Sequence, residues 1–215
     1  TFSALQASLS QRFAGVVHDP DYHGLRVACL KSVHVALDIG ANRGQSIVSL
    51  KAIFPNVVIH AFEANPLFHP CLVQLASHYG DSVRLHSHGL GRTAGQLRFY
   101  VPFVGDEPYL EESSTRPDQF AKPWIAEKFH ARGEMHLEES AVEIRAGDEL
   151  GLSPDIVKID VEGAELDVLF GLRNTISRSL PVLLVENSDS DGVTPFPSCP
   201  RSDTSRSDGT LTGSA

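Results

Sequence analysis

The chain has 215 residues, 41% hydrophobic and 21% charged, which suits one globular domain with a sizeable core. Its formal net charge of -9 argues against sequence-independent nucleic-acid binding, which needs Lys and Arg at phosphates, and against an anionic membrane surface. Cys29, Cys71 and Cys199 show no C-x-x-C spacing, which argues against a zinc or disulfide framework. No apolar run approaches the ~20 residues of a membrane span, and no signal peptide is visible, so a cytoplasmic location is expected.

Residues 1–34 read as a helical cover. Phe2, Leu5, Leu9 and Phe13 recur at helical spacing, and Asp19-Pro20-Asp21 opens a second short helix through Leu25 and Leu30. The run Val35 to Ser46 is then a buried strand, a glycine turn and a helix start. Asp38 is a carboxylate near the carboxyl end of that strand, where burial needs a partner. Gly40 lets the chain turn sharply, and Ala41-Asn42 with Gly44 complete the corner. Ligands of open α/β sheets bind at such corners. Asn42 replaces the middle glycine of G-x-G-x-x-G, which favours a ligand with an amine and a carboxylate, such as S-adenosylmethionine, over a pyrophosphate.

Ile47, Val48, Leu50, Ile53 and Phe54 form a helical stripe, and Val57 to Phe62 a second buried strand ending at Glu63. Glu63 follows the glycine turn by about the ~20 residues that place an acid on a ribose. Asn65-Pro66 starts the next helix. Val83 to His86 is a third strand, and His88-Gly89-Leu90 a turn suited to an adenine ring. Gln96 to Val101 alternates as an antiparallel strand. Residues 102–134, with four prolines and Trp124, read as an irregular insertion assigned to acceptor binding.

Ala141 to Arg145 is a short strand, and Asp155 to Val161 the fourth core strand. Lys158, Asp160 and Glu162 alternate and point to one side if the strand continues that far. Pro181 to Asn187 is a fifth buried strand. In 188–215, Ser, Thr, Asp, Gly and Pro make up 21 of 28 residues, which reads as a disordered tail. Three segments are thus expected, with boundaries at 34/35 and 187/188.

Three runs together resemble the FkbM-type methyltransferases: Leu37 to Gly44, Phe62-Glu63-Ala64-Asn65-Pro66, and Val157 to Glu165. The resemblance covers about residues 30–187. It implies a class I (Rossmann-like) α/β fold with helices flanking the sheet, S-adenosylmethionine as cofactor, and O-methylation of a sugar or natural-product hydroxyl. The family's terminal hairpin is not found, and an open sheet edge would invite a homo-oligomer.

On this reading Asp38, Gly40, Ala41, Asn42 and Gly44 hold the methionine end, Glu63 and Asn65 the ribose, and Gly89 the adenine. Asp160 lines the methyl site and is the first candidate base, Glu162 the second and His88 the third. The acceptor is a small molecule. Asp160 with Glu186-Asn187 also resembles the oxygen ligands of cation-dependent O-methyltransferases, so the metal stays undecided. Two rivals remain: a domain that binds S-adenosylmethionine without turnover, and an NAD-dependent oxidoreductase.

Overall fold

The computed structural model describes residues 17–28, 32–130 and 133–186. The expectations for Phe2 to Phe13, for Asn187 and for the 188–215 tail lie outside the described residues.

A five-stranded parallel sheet organises the molecule. Its order is β3-β2-β1-β8-β9, from β1 (Val35–Ile39), β2 (Val58–Phe62), β3 (Val83–His86), β8 (Ile156–Ile159) and β9 (Val182–Val185). All five run the same way, so their carboxyl ends share one rim. Helices cover both faces: α1 (Tyr22–Ala28), α2 (Gln45–Ile53) and α3 (His69–Tyr79) on one side, α5 (Glu165–Gly171) and α6 (Arg173–Ser179) on the other.

Strand alternation decides which side chain serves which face. Ala36, Ile59, Ala61 and Ile156 pack with Ile47, Leu50 and Leu72. Leu37, Ile39, Phe62, Val157 and Ile159 pack with Val168 and Leu172. Both faces are buried, which is why these strands read as near-continuous apolar runs. Each fully buried Leu or Ile contributes about 1.5–3 kcal/mol. β9 is the outer strand among the described residues, and its four residues are only half-buried.

The second sheet is where sequence and structure part. Its order is β4-β7-β5-β6, from β4 (Gly89–Gly91), β5 (Gly95–Val104), β6 (Glu107–Pro108) and β7 (Met135–Ala146). The expected 96–101 and 141–145 strands are the middle of one long antiparallel ladder, from Gly95↔Ile144 to Val104↔Met135. The expected turn at Gly89-Leu90 is itself a short strand, parallel to β7. The adjacent polar residues Glu138-Glu139-Ser140 break any alternation and hid the length of β7, because both its outer face and its far end lie in water.

Residues 102–134 are more ordered than their prolines suggested. The helix α4 (Pro123–His130) and a short 3-10 turn (Pro117–Ala121) bury Phe120, Ile125 and Phe129 against Tyr100 and Val104. Trp124 stays on the outside, 53% exposed. A strap then returns to β5, where Tyr100 and Ser114 exchange backbone hydrogen bonds of 2.9 and 3.0 Å.

Glycines join the second sheet to the helices. A Cβ on Gly171 would stand 1.9 Å from the Gly91 carbonyl oxygen, and one on Gly147 would stand 2.5 Å from Leu172. Helix α5 therefore lies on β4 backbone to backbone.

Candidate functional site

The corner after β1 is set by its backbone. Gly40 has φ +77°, and a Cβ there would stand 1.7 Å from the Asp160 carbonyl oxygen. No other residue fits without moving the β8 loop. The Gly40 and Ala41 N–H groups both donate to the Phe62 carbonyl, at 2.9 and 3.0 Å. Asn42 takes a left-handed φ of +49°, as its short polar side chain allows.

Glu63 lies across this corner. Its Oε2 accepts from the Asn42 N–H at 2.8 Å and its Oε1 from the Asn65 N–H at 2.7 Å. Burial pushes its carboxyl up, and these two donors pull it back. One lone pair on each oxygen remains for a ligand. Asn65 sits deeper, 1% exposed, and its Oδ1 accepts from Leu67 N–H to cap the turn at Pro66.

Beneath the corner runs a buried polar chain. Asp38 is fully buried, and its Oδ2 accepts from Ser46 Oγ at 2.5 Å. Tyr22 reaches from α1 to hydrogen-bond Ser46, and burial, with Asp38 nearby, holds its hydroxyl far above the usual phenol range. The other oxygen of Asp38 lies 3.5 Å from Lys158 Nζ. Lys158 Nζ donates to the Gly40 carbonyl at 2.7 Å and pairs with Asp160 Oδ2 at 3.2 Å. Burial works against the lysine charge, but Asp38 and Asp160 more than offset it, so Lys158 stays charged.

The β8 loop brings the acids together by a turn rather than by continued alternation. The strand ends at Ile159, and Glu162 has a left-handed φ of +55°. Carboxylate oxygens of Asp160, Glu162 and Glu186 nevertheless lie within 4.8 Å of one another. Burial, with Asp160 and Glu165 adjacent, raises Glu162 to about 7. A hydrogen bond with Asp160, then burial, raises Glu186 to about 8, while Lys158 keeps Asp160 ionised. A proton between Asp160 and Glu186 relieves this crowding, and the three oxygens could also hold a divalent cation.

These loops open into one cavity of about 780 Å³, part of it open to solvent. Gly40, Asn42, Glu63, Gly89, Asp160 and Glu162 line it. Asp38, Ala41, Gly44 and Asn65 are not among its lining residues; they lie behind it and hold the corner in shape. His88 also lies off the cavity, buried against Phe62 and His86. The opposite wall was not foreseen. Leu97, Phe99, Val142 and Ile144 come from the inner face of the second sheet, and Leu110, Ser113 and Thr115 from the strap. The signal was present, since Leu97 and Phe99 alternate with Gln96, Arg98 and Tyr100.

The Methyltransferase FkbM domain model matches residues 38–197. The chain belongs to the FkbM methyltransferase family. Methyltransferase 1 of Beauveria bassiana is 30% identical over 167 residues, which is 73% of this chain and 65% of that protein. The chain therefore spans less than two thirds of that relative's length. The crystal structure of Methyltransferase FkbM from Methylobacillus flagellatus aligns over 79% of this chain and 37% of its own, with TM-score 0.51 and 19% identity. That likeness supports the fold of this FkbM-family chain: a parallel central sheet flanked by helices. No helix among the described residues is long and apolar enough to cross a membrane.

Proposed function

We propose that this chain is an S-adenosylmethionine-dependent methyltransferase that methylates a hydroxyl of a small-molecule acceptor. The observation that carries this reading is the convergence of Gly40, Asn42, Glu63, Asp160 and Glu162 on one cavity at the carboxyl rim of the sheet. The residues suit the cofactor. Gly40 leaves a cradle that any Cβ would fill, and Asn42 Oδ1 is buried with no donor in reach. Such an acceptor is suited to a ligand ammonium or hydroxyl.

S-adenosylmethionine supplies an electrophilic sulfonium methyl. The protein's own work is positioning and proton removal. The glycine corner and Glu63 fix the ligand, and oriented placement alone is worth effective molarities on the order of 10⁵ M or more. Glu162 lies at the cavity mouth and is poised near neutrality to take the acceptor proton. Asp160 stays ionised beside Lys158 and faces the developing positive hydroxyl.

Titration calorimetry with S-adenosylhomocysteine and with NAD tests the cofactor assignment. Micromolar binding of the first and none of the second is expected. Absence of S-adenosylhomocysteine binding would sink the reading. The clustered carboxylates favour one variant, in which Mg²⁺ replaces the Asp160–Glu186 proton. Transfer of labelled methyl that stops in chelator and returns with Mg²⁺ would establish that variant.

A further inference from the structure

We infer that the acceptor is an apolar, non-anionic molecule that lays a hydrophobic body along the inner face of the second sheet and offers its nucleophilic atom to the acid-lined end. This rests on the methyltransferase reading above and names the substrate class of that site.

The two walls of the cavity differ in kind. The rim wall carries every charged lining group, and all three are acids: Glu63, Asp160 and Glu162. The sheet wall offers Leu97, Phe99, Val142 and Ile144, with no polar side chain among them. Ladder register puts these residues on one face, because Leu97 pairs with Val142 and Gly95 with Ile144. The opposite face of the hairpin is already filled: Tyr100 and Val104 pack on Phe120, Ile125 and Phe129. The inner face has no such internal partner over Leu97 and Phe99, which stay half-exposed in the middle of a ten-pair ladder. Apolar side chains left open in a concave wall gain by receiving apolar surface, at about 25 cal/mol per Å² removed from water.

The charge pattern excludes a class of ligand. None of the described lining residues is Lys or Arg. Lys158, the nearest buried cation, is engaged by Asp38, Asp160 and the Gly40 carbonyl. A phosphate or carboxylate on the acceptor would face acids, and Arg116, which packs beside Gly163, is paired with Asp118 at 3.0 Å. A bare sugar would leave its hydroxyls against Leu97, Phe99 and Val142, and an unmet buried hydroxyl costs about 1–3 kcal/mol. The hydroxyls of Ser113 and Thr115 on the strap supply polar contact at one edge.

A matched pair of fluorescent probes tests this on the full chain saturated with S-adenosylhomocysteine. N-phenyl-1-naphthylamine is neutral, and 8-anilinonaphthalene-1-sulfonate has the same skeleton with an anion. The neutral probe should bind the saturated protein, and the sulfonate at least tenfold more weakly. Leu97→Asn and Phe99→Ser should each weaken the neutral probe tenfold or more while S-adenosylhomocysteine affinity stays within twofold. Both positions are partly exposed, so the fold should survive, and near-ultraviolet dichroism checks it. Displacement of the neutral probe by S-adenosylhomocysteine would give the apolar wall to the cofactor and overturn the proposal. Equal affinity for the sulfonate, or indifference to both substitutions, would overturn it too. Loss of S-adenosylhomocysteine binding itself would instead overturn the methyltransferase reading.

Discussion

The rim of the parallel sheet and the inner face of the antiparallel sheet enclose the same cavity by opposite means. On the rim, the backbone does the shaping. Gly40, Asn42, Glu162 and Gly163 all take positive φ, and Lys158 ties one loop to the other. On the antiparallel wall the backbone is regular strand, and only side-chain size matters. A rim residue is held by several partners at once and tolerates little. A wall residue is held by its strand and can be exchanged. Reacting groups need a fixed position, whereas apolar recognition needs only shape and area.

The contrast can be broken most forcefully at Lys158. Lys158→Met leaves Asp38 fully buried without a counter-charge and should cost about 3–5 kcal/mol in urea unfolding. Leu97→Ala on the other wall should cost about 1 kcal/mol, within the ordinary range for a half-exposed site. Equal losses would erase the distinction between the walls.

Glu162→Gln addresses chemistry rather than stability. It should lower kcat about 100-fold, at the low end for general-base catalysis, with S-adenosylhomocysteine affinity kept. Wild-type turnover should rise with pH through about 7 as Glu162 ionises, and the variant should lose that limb. The stability effect has the opposite sign. A carboxyl raised from 4.5 to about 7 favours the fold below pH 4.5 and loses that contribution as pH rises through 7. Activity would thus appear where this group stabilises least. An unchanged pH profile would remove Glu162 as the base.

The smallest effect is expected beside the rim, at the edge strand β3. His60 Nδ1 and His86 Nε2 lie 3.1 Å apart, and His86 stacks on Phe62 with centroids 4.3 Å apart. Burial, then the neighbouring His60, lowers His86 from 6.5 to about 4. Its contribution to stability is complete above pH 6.5 and is lost as pH falls through about 4. His86→Phe keeps the stack and should flatten the melting temperature over that window by a few degrees. An identical acid profile in the variant would place the acid sensitivity elsewhere.

The central sheet was legible because its strands are buried on both faces and so spell themselves out as apolar runs. Its loops were legible because glycine, asparagine and acids at strand ends have few structural uses. Asp38 reads as a buried strand-end carboxylate that needs a partner, and Lys158 and Ser46 meet that need from behind the cavity. The second sheet was obscure for the converse reason. A third of β7 is glutamate and histidine facing water, and residues 102–134 build a small core of their own around Phe129 that no period announces. The approach of Glu162 to Asp160 depends on a left-handed turn at a non-glycine residue, which sequence pattern does not encode.

The contact of Gly171 with the Gly91 carbonyl has a mechanical consequence. Backbone resting on backbone has no side chain to act as a cushion, so β4 and helix α5 have no slack to slide. Both cavity walls take their bearings from that joint, one through β4 and β7, the other through the loop that precedes α5. Their separation is therefore gauged by the peptide backbone. The strap at 110–116 is tied at two further points, to β5 through the Tyr100–Ser114 backbone bridge and to α4 through the Glu112–Lys128 ion pair.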